Sequence, residues 1–148
     1  MKYEDLKVRG NLEIVLQDKT GKVKKKKKYK NLVVSTGLGF IVSRMKDSSE
    51  GAMSHIGLGS GTTAAASDQT GLVSDVGNRN AIGTPTLSGG SISYSAIFGV
   101  NEATGSLTEA GIFNASSAGT MLCRTVFPVI NKQATDTMTG NWVITLSV

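Results

Sequence analysis

Residues 55–63 read HIGLGSGTT, the first stretch of the chain whose residue types and spacing could do chemistry. Glycines at 57, 59 and 61 followed by Thr62 and Thr63 suggest a loop that wraps a phosphate. A Walker-type loop needs a lysine and then Ser or Thr after its last glycine, so that an ammonium reaches the terminal phosphates. Here Thr62 follows Gly61 directly. The dinucleotide fingerprint fails as well, because the spacing is G-x-G-x-G rather than G-x-G-x-x-G and Thr62-Thr63 opens a crossover helix poorly. The stretch instead predicts a strand that leaves the core, packs closely against a neighbour and ends in a turn whose hydroxyls satisfy backbone groups.

His55 is the only histidine. A Ser-His-Asp system would have to use it, yet it lies within the predicted strand and no nucleophile elbow is present. A hydrogen-bonded structural histidine is the expectation. The acids Asp47, Glu50, Asp68, Asp75, Glu102, Glu109 and Asp136 are scattered and form no calcium loop. Cys123 is the single cysteine, which excludes an intramolecular disulfide, and one Cys with one His cannot assemble a structural zinc site. Its apolar surroundings, TMLCRTVF, make it a small core hydrophobe. No catalytic, cofactor-binding or metal-binding residue is assigned, and the chain is read as a non-enzyme. Glu109 stands out because LTEAGIF places a carboxylate among apolar strand residues, where it is costly unless paired. The only arginines after residue 44 are Arg79 and Arg124, so a structural ion pair with one of them is expected.

The net charge of +5 is local. Residues 1–50 hold thirteen Lys/Arg against six Asp/Glu, whereas residues 51–148 hold three against five. Most of the excess sits in KVKKKKKYK, where Lys22, Lys24, Lys25, Lys26, Lys27, Lys28 and Lys30 occur with no acid. Strand geometry puts Val23, Lys25, Lys27 and Tyr29 on one side and Lys24, Lys26, Lys28 and Lys30 on the other. Neither side is continuously apolar, so the segment is an edge strand or projecting arm. Its charge either discourages pairing with another chain or engages an acidic partner surface. Nucleic acid is the lesser candidate, because only Tyr29 offers an aromatic ring beside the lysines.

The elements that must position these groups are mostly strands. Eighteen glycines, two prolines and only 18% charged residues favour β-structure with tight turns. At 148 residues the chain is read as one domain, 1–148. Residues 6–33 predict an N-terminal hairpin, with Leu12, Ile14 and Leu16 on one face and a turn at DKTGK that uses Gly21. One short helix is predicted near residues 36–46, with Leu38, Ile41, Val42 and Met45 as its apolar stripe and Ser35 or Thr36 as its cap. Residues 62–68 read as a loop and GLVSDVGNRNAI as a weak strand or a helical turn running into one. SISYSAIFGV alternates Ile92, Tyr94, Ala96, Phe98 and Val100. A hairpin follows with NASSAG as its loop, and the last strand alternates Trp142, Ile144, Leu146 and Val148. About eight short strands and one helix predict an antiparallel β-sandwich with Greek-key or jelly-roll connections. The ending on apolar Val148 suits a strand tied into a sheet or an interface. No signal-peptide core and no run of 18 apolar residues occurs, so a soluble protein made in a cytoplasm, without membrane contact, is expected.

The order NLVVSTGLGFIVSRM, MSHIGLGSGTTAAASDQTGLVSDVGNRNAI, YSAIFGVNEATGSLTEAGIFNASSAGTMLCRTVF and NKQATDTMTGNWVITLSV resembles small structural proteins of tailed bacteriophages. It is similar also to the N-terminal attachment domain of phage tail-collar fibre proteins. The matching positions are Gly37 and Leu38, Gly57 to Gly61, Leu72 to Arg79, Glu109 to Phe113, and Lys132, within residues 31–148. Asp75 stands where the pattern usually has Glu, three residues intervene before Arg79, and no fibre shaft follows Val148. The resemblance implies a virion protein made in a host cytoplasm, at the tail (fibre attachment, baseplate or neck) or, alternatively, on the capsid as a decoration (cement) protein. Implied partners are other virion proteins, tail or major capsid, with a homo-oligomer, trimer or dimer, as the working form.

Overall fold

The computed structural model describes residues 4–148. Its strands are β1 (Lys7–Gln17), β2 (Val23–Lys30), β3 (Leu32–Val33), β4 (His55–Gly59), β5 (Asn80–Ala81), β6 (Thr86–Ser88), β7 (Ser91–Phe98), β8 (Gly105–Phe113), β9 (Met121–Lys132) and β10 (Thr137–Ser147), with one helix, α1 (Ser35–Lys46). They form two five-stranded sheets, ordered β2-β1-β10-β7-β6 and β3-β9-β8-β4-β5, with every pair antiparallel. The expected sandwich is therefore present. The strand count is higher than expected because β3, β5 and β6 are only two or three residues long, too short to leave a periodic signal. The chain leaves the first sheet after β7, makes the β8–β9 hairpin in the second and returns as β10 beside β7. This is a Greek-key return across the two layers.

Alternation builds the core. Leu12, Ile14 and Leu16 of β1, Tyr94, Ala96 and Phe98 of β7, and Trp142 and Ile144 of β10 face Ile56 and Leu58 of β4, Leu107, Ala110 and Ile112 of β8, and Cys123 and Phe127 of β9. β1 and β10 run in register over their whole length, from Lys7 opposite Ser147 to Gln17 opposite Thr137. Two expected inward positions fall outside: Val100 lies beyond the end of β7, and Val148 follows β10 and is 77% exposed.

The β1–β2 turn closes as expected around Gly21, whose φ of +86° only a residue without Cβ adopts freely. Asp18 carboxylate accepts from the Thr20 and Lys22 amides there. The helix lies where expected but is turned so that, of the expected stripe, only Ile41 packs inward. Leu38, Val42 and Met45 are 45%, 64% and 86% exposed, whereas buried Gly37 and half-buried Phe40 and Ile41 pack inward. Gly37 decides the orientation, because a Cβ there would collide with the carbonyl of Leu122 on β9. Val34 is the residue before the first turn, and neither Ser35 nor Thr36 caps it; the Thr36 hydroxyl donates to Met121 O instead.

The loop expected at residues 62–68 is part of a longer strap, residues 60–79, whose one backbone bridge to the sheet joins Asp75 to Gly59, and of the strand expected in GLVSDVGNRNAI only β5 forms. The strap covers the outer face of β4, β8 and β9. For this reason β8 is buried on both faces from Leu107 to Phe113. A satellite cluster of Val34, Phe113 and Met121, with Leu72 from the strap, lies beneath it.

Candidate functional site

Three groups of side chains carry charge or unpartnered apolar surface, and they divide between interior and exterior. Glu109 is interior. Fully buried on β8, its carboxylate accepts from the amides of Gly61 (3.0 Å), Ser74 (2.8 Å) and Val73 (3.1 Å) and from Arg124 Nε (2.9 Å), with Arg124 Nη2 2.7 Å from the same oxygen. Arg124, also fully buried, uses Nη1 to reach Thr63 O and Gln69 Oε1. Burial pushes the Glu109 carboxyl up, but the amides of Ser74 and Val73, the guanidinium and the Gly61 amide together outweigh it and hold the pKa below the usual carboxylate value. The pair is therefore a latch that pins the strap at both ends of its run.

The glycines of HIGLGSGTT explain how the latch fits. Side chains at Gly59 would strike Ser74 O and the Glu109 carboxylate; at Gly61 they would strike Val73 and the same carboxylate. Gly57, Gly111 and Arg124 lie in register across β4, β8 and β9, and Cβ atoms at the two glycines would crowd Leu72 and Phe113. Bare backbone at these positions lets the strap and a carboxylate approach the sheet.

Of the two arginines expected as partners, Arg124 takes Glu109 and Arg79 does not. Arg79 donates to Ala115 O and Ala118 O in the β8–β9 loop and stacks its guanidinium 3.4 Å from the Phe113 ring centroid. Sequence spacing could not separate the two, because both arginines come to this outer face and only their registers differ. His55 lies on β4 with Nδ1 2.8 Å from Ser54 Oγ. Cys123 is buried in the core, and burial pushes its thiol pKa well up. Lys132 is buried at the end of β9 and donates to Gly99 O, 2.8 Å away. Among the described residues no three His, Cys, Asp or Glu come together in a group that could hold a metal ion. No helix among them is long and apolar enough to cross a membrane.

The exterior group is the lysine strand. β2 is the edge of its sheet, paired only with β1. Tyr29 turns inward onto Phe127 with ring centroids 5.1 Å apart, so the register puts Lys25 and Lys27 toward the sandwich rim and Lys26, Lys28 and Lys30 on the outer face. Lys27 Nζ lies 5.9 Å from the Tyr29 centroid. Lys24 departs from the expected set: its Nζ is 2.8 Å from the buried Asp136 carboxylate, which the ion pair and the Gln133 amide hold below its usual pKa. It staples the arm to the start of β10. Among the described residues Lys22, Lys25, Lys26, Lys27, Lys28 and Lys30 make no ion pair. Sequence reading missed this staple, since Lys24 and Asp136 are 112 residues apart. The third group is the solvent-facing Leu38, Val42 and Met45 stripe.

Comparison with protein-family models, with curated proteins and with solved structures finds no match to this chain.

Proposed function

We propose that the chain is a non-enzymatic structural protein of a tailed-phage virion, seated at the tail and working by packing against other particle proteins as a homo-oligomer. The observation that supports this most is where the unspent side chains lie. The buried charges Glu109 and Arg124 are consumed in fixing the strap, whereas the unpaired lysines of β2 and the apolar face of α1 are offered to solvent. Surfaces of this kind do work by contact. The order of motifs shared with phage tail-collar attachment domains supplies the particle.

Mass spectrometry of gradient-purified particles tests the reading. The chain recovered in stoichiometric amount, with the tail fraction after heads and tails are separated, is the expected result. Recovery with heads instead moves it to the capsid as a decoration protein, and absence from particles overturns the proposal. Binding to any duplex DNA with a steep salt slope would favour the nucleic-acid alternative.

A further inference from the structure

The lysines of β2 do more than present charge. Asn31 N donates to Gly10 O (3.2 Å), which makes that opposed pair a hydrogen-bonded one. Hydrogen-bonded and open pairs alternate along an antiparallel ladder. Tyr29 and Lys27, opposite Leu12 and Ile14, therefore turn their backbone groups toward β1, and Lys28 and Lys26, opposite Glu13 and Val15, turn theirs to the free edge. The same two residues carry outer-face ammonium groups. The open stretch has natural limits. Lys30 O already accepts from Thr125 Oγ1 (2.8 Å), and near Lys24 the register shifts between Leu16 and Gln17. Glu13 directly opposes Lys28, but its Oε1 accepts from Asn141 on the far side, 3.3 Å away, and leaves Lys28 without an ion pair.

We infer that β2 accepts an added strand: an extended segment of a partner protein with acidic residues at every second position. This rests on the proposed role of the lysine edge in particle contacts and specifies its chemistry. Residues of the incoming strand opposite Lys26 and Lys28 exchange backbone hydrogen bonds with them and set their side chains on the same outer face, where Glu or Asp meets ammonium. The intervening residues lie over the rim beside Tyr29. A second copy of β2 is excluded as occupant because it would oppose lysine to lysine. Nucleic acid is disfavoured because its phosphates could accept from the free amides but have no proton to donate to the free carbonyls, and the neighbouring outer-face residues of β1, Asn11, Glu13 and Val15, offer no ring for base stacking.

The other sheet edges lack this combination. β5 and β6 are two and three residues long, and the exposed half of β9 carries Pro128, which has no amide to donate.

The test uses the full chain and a synthetic peptide with Glu at alternate positions and Thr or Val between. The peptide is expected to bind at least tenfold more tightly than a scramble with its acids clustered, and to slow amide exchange at Lys26 and Lys28. Methylating the Glu amide nitrogens should remove binding about tenfold or more, whereas methylating the intervening amides, which point away from β2, should not. Equal binding of the scramble, equal loss from both methylated peptides, or equal competition by oligothymidine would overturn strand addition. A separate arm measures particle binding by Lys26→Ser/Lys28→Ser. Weakened particle binding beside a failed peptide test overturns only the strand geometry, and unchanged particle binding overturns the parent reading as well.

Discussion

Glu109 shows how a single carboxylate can hold twenty residues of irregular chain in place. Among the described residues its oxygens are the only acceptors of the Gly61, Val73 and Ser74 amides, so replacing the pair by apolar residues would orphan those donors, and replacing Glu109 alone would orphan a guanidinium as well. Glu109→Gln keeps the shape and removes the charge, leaving Arg124 buried and unpaired. The expected cost is about 3–5 kcal/mol, read as a fall of roughly 10 °C in thermal midpoint. Arg124→Lys should cost nearly as much, because one ammonium cannot reach Glu109, Thr63 O and Gln69 together. The sign of the pH dependence follows from the depressed pKa of Glu109. A carboxyl held below its unfolded value adds stability that is complete above the unfolded pKa and is lost as pH falls through the folded one. Urea melts below pH 4 should show this acid loss in the parent, and a flatter acid limb in Glu109→Gln. An unchanged limb would mean that other carboxylates, Asp136 among them, set it.

At the scale of elements, the helix separates what pattern reveals from what contact decides. Its limits were legible, within a residue, from the apolar repeat and the DSSEGA terminus. Its orientation was not, since the repeat of Leu38, Val42 and Met45 looks like a core stripe until one knows that Gly37 must lie against Leu122 O. Close backbone approach is a tertiary fact, and a glycine announces it only as a lowered propensity. The two helix glycines should therefore respond oppositely. Gly39 has open space around its missing Cβ, so Gly39→Ala is expected to stabilise by about 1 kcal/mol through propensity alone, raising the thermal midpoint by 2–4 °C. Gly37→Ala should lower it. Serine at Leu38, Val42 or Met45 should change stability by no more than about 0.5 kcal/mol each, whereas Leu58→Ala on the inward face of β4 should cost 2–5 kcal/mol, roughly the range for a buried leucine. The strands were legible for the same reason the strap was not. Alternation in β1, β7 and β10 records one buried face, but β8 is buried on both, and the residues that cover it carry no period. Glu109 amid apolar neighbours and three spaced glycines were the only trace of that second layer.

For the molecule as a whole, the division of charge in the sequence becomes a division of labour in space. Three of the acids that could have balanced the open lysines of β2 are occupied otherwise: Asp136 holds Lys24, Asp18 closes the first turn, and Glu13 leans toward Asn141. What remains on β2 is a row of ammonium groups about 7 Å apart along one face, the repeat of two strand residues. At that spacing and at 0.1 M salt, neighbouring charges lie within one Debye length, about 10 Å, and act on a partner together. Changing Lys26 and Lys28 to Ser should therefore leave the melting temperature within about 1–2 °C, since neither side chain is in an ion pair, while slowing association with particles and flattening its dependence on salt. Lys24→Ser should do the reverse. It breaks the staple to Asp136 and so lowers stability, yet changes the net charge by one rather than two and leaves both ammonium groups of the open edge in place, so the salt slope of association changes less. Stopped-flow association measured between 50 and 300 mM salt, paired with thermal melts of the same variants, resolves the two behaviours. If Lys24→Ser and the Lys26/Lys28 double variant moved together in both measurements, the lysine strand would be acting as one undivided patch, and the distinction between its stapled and open ends would have no functional content.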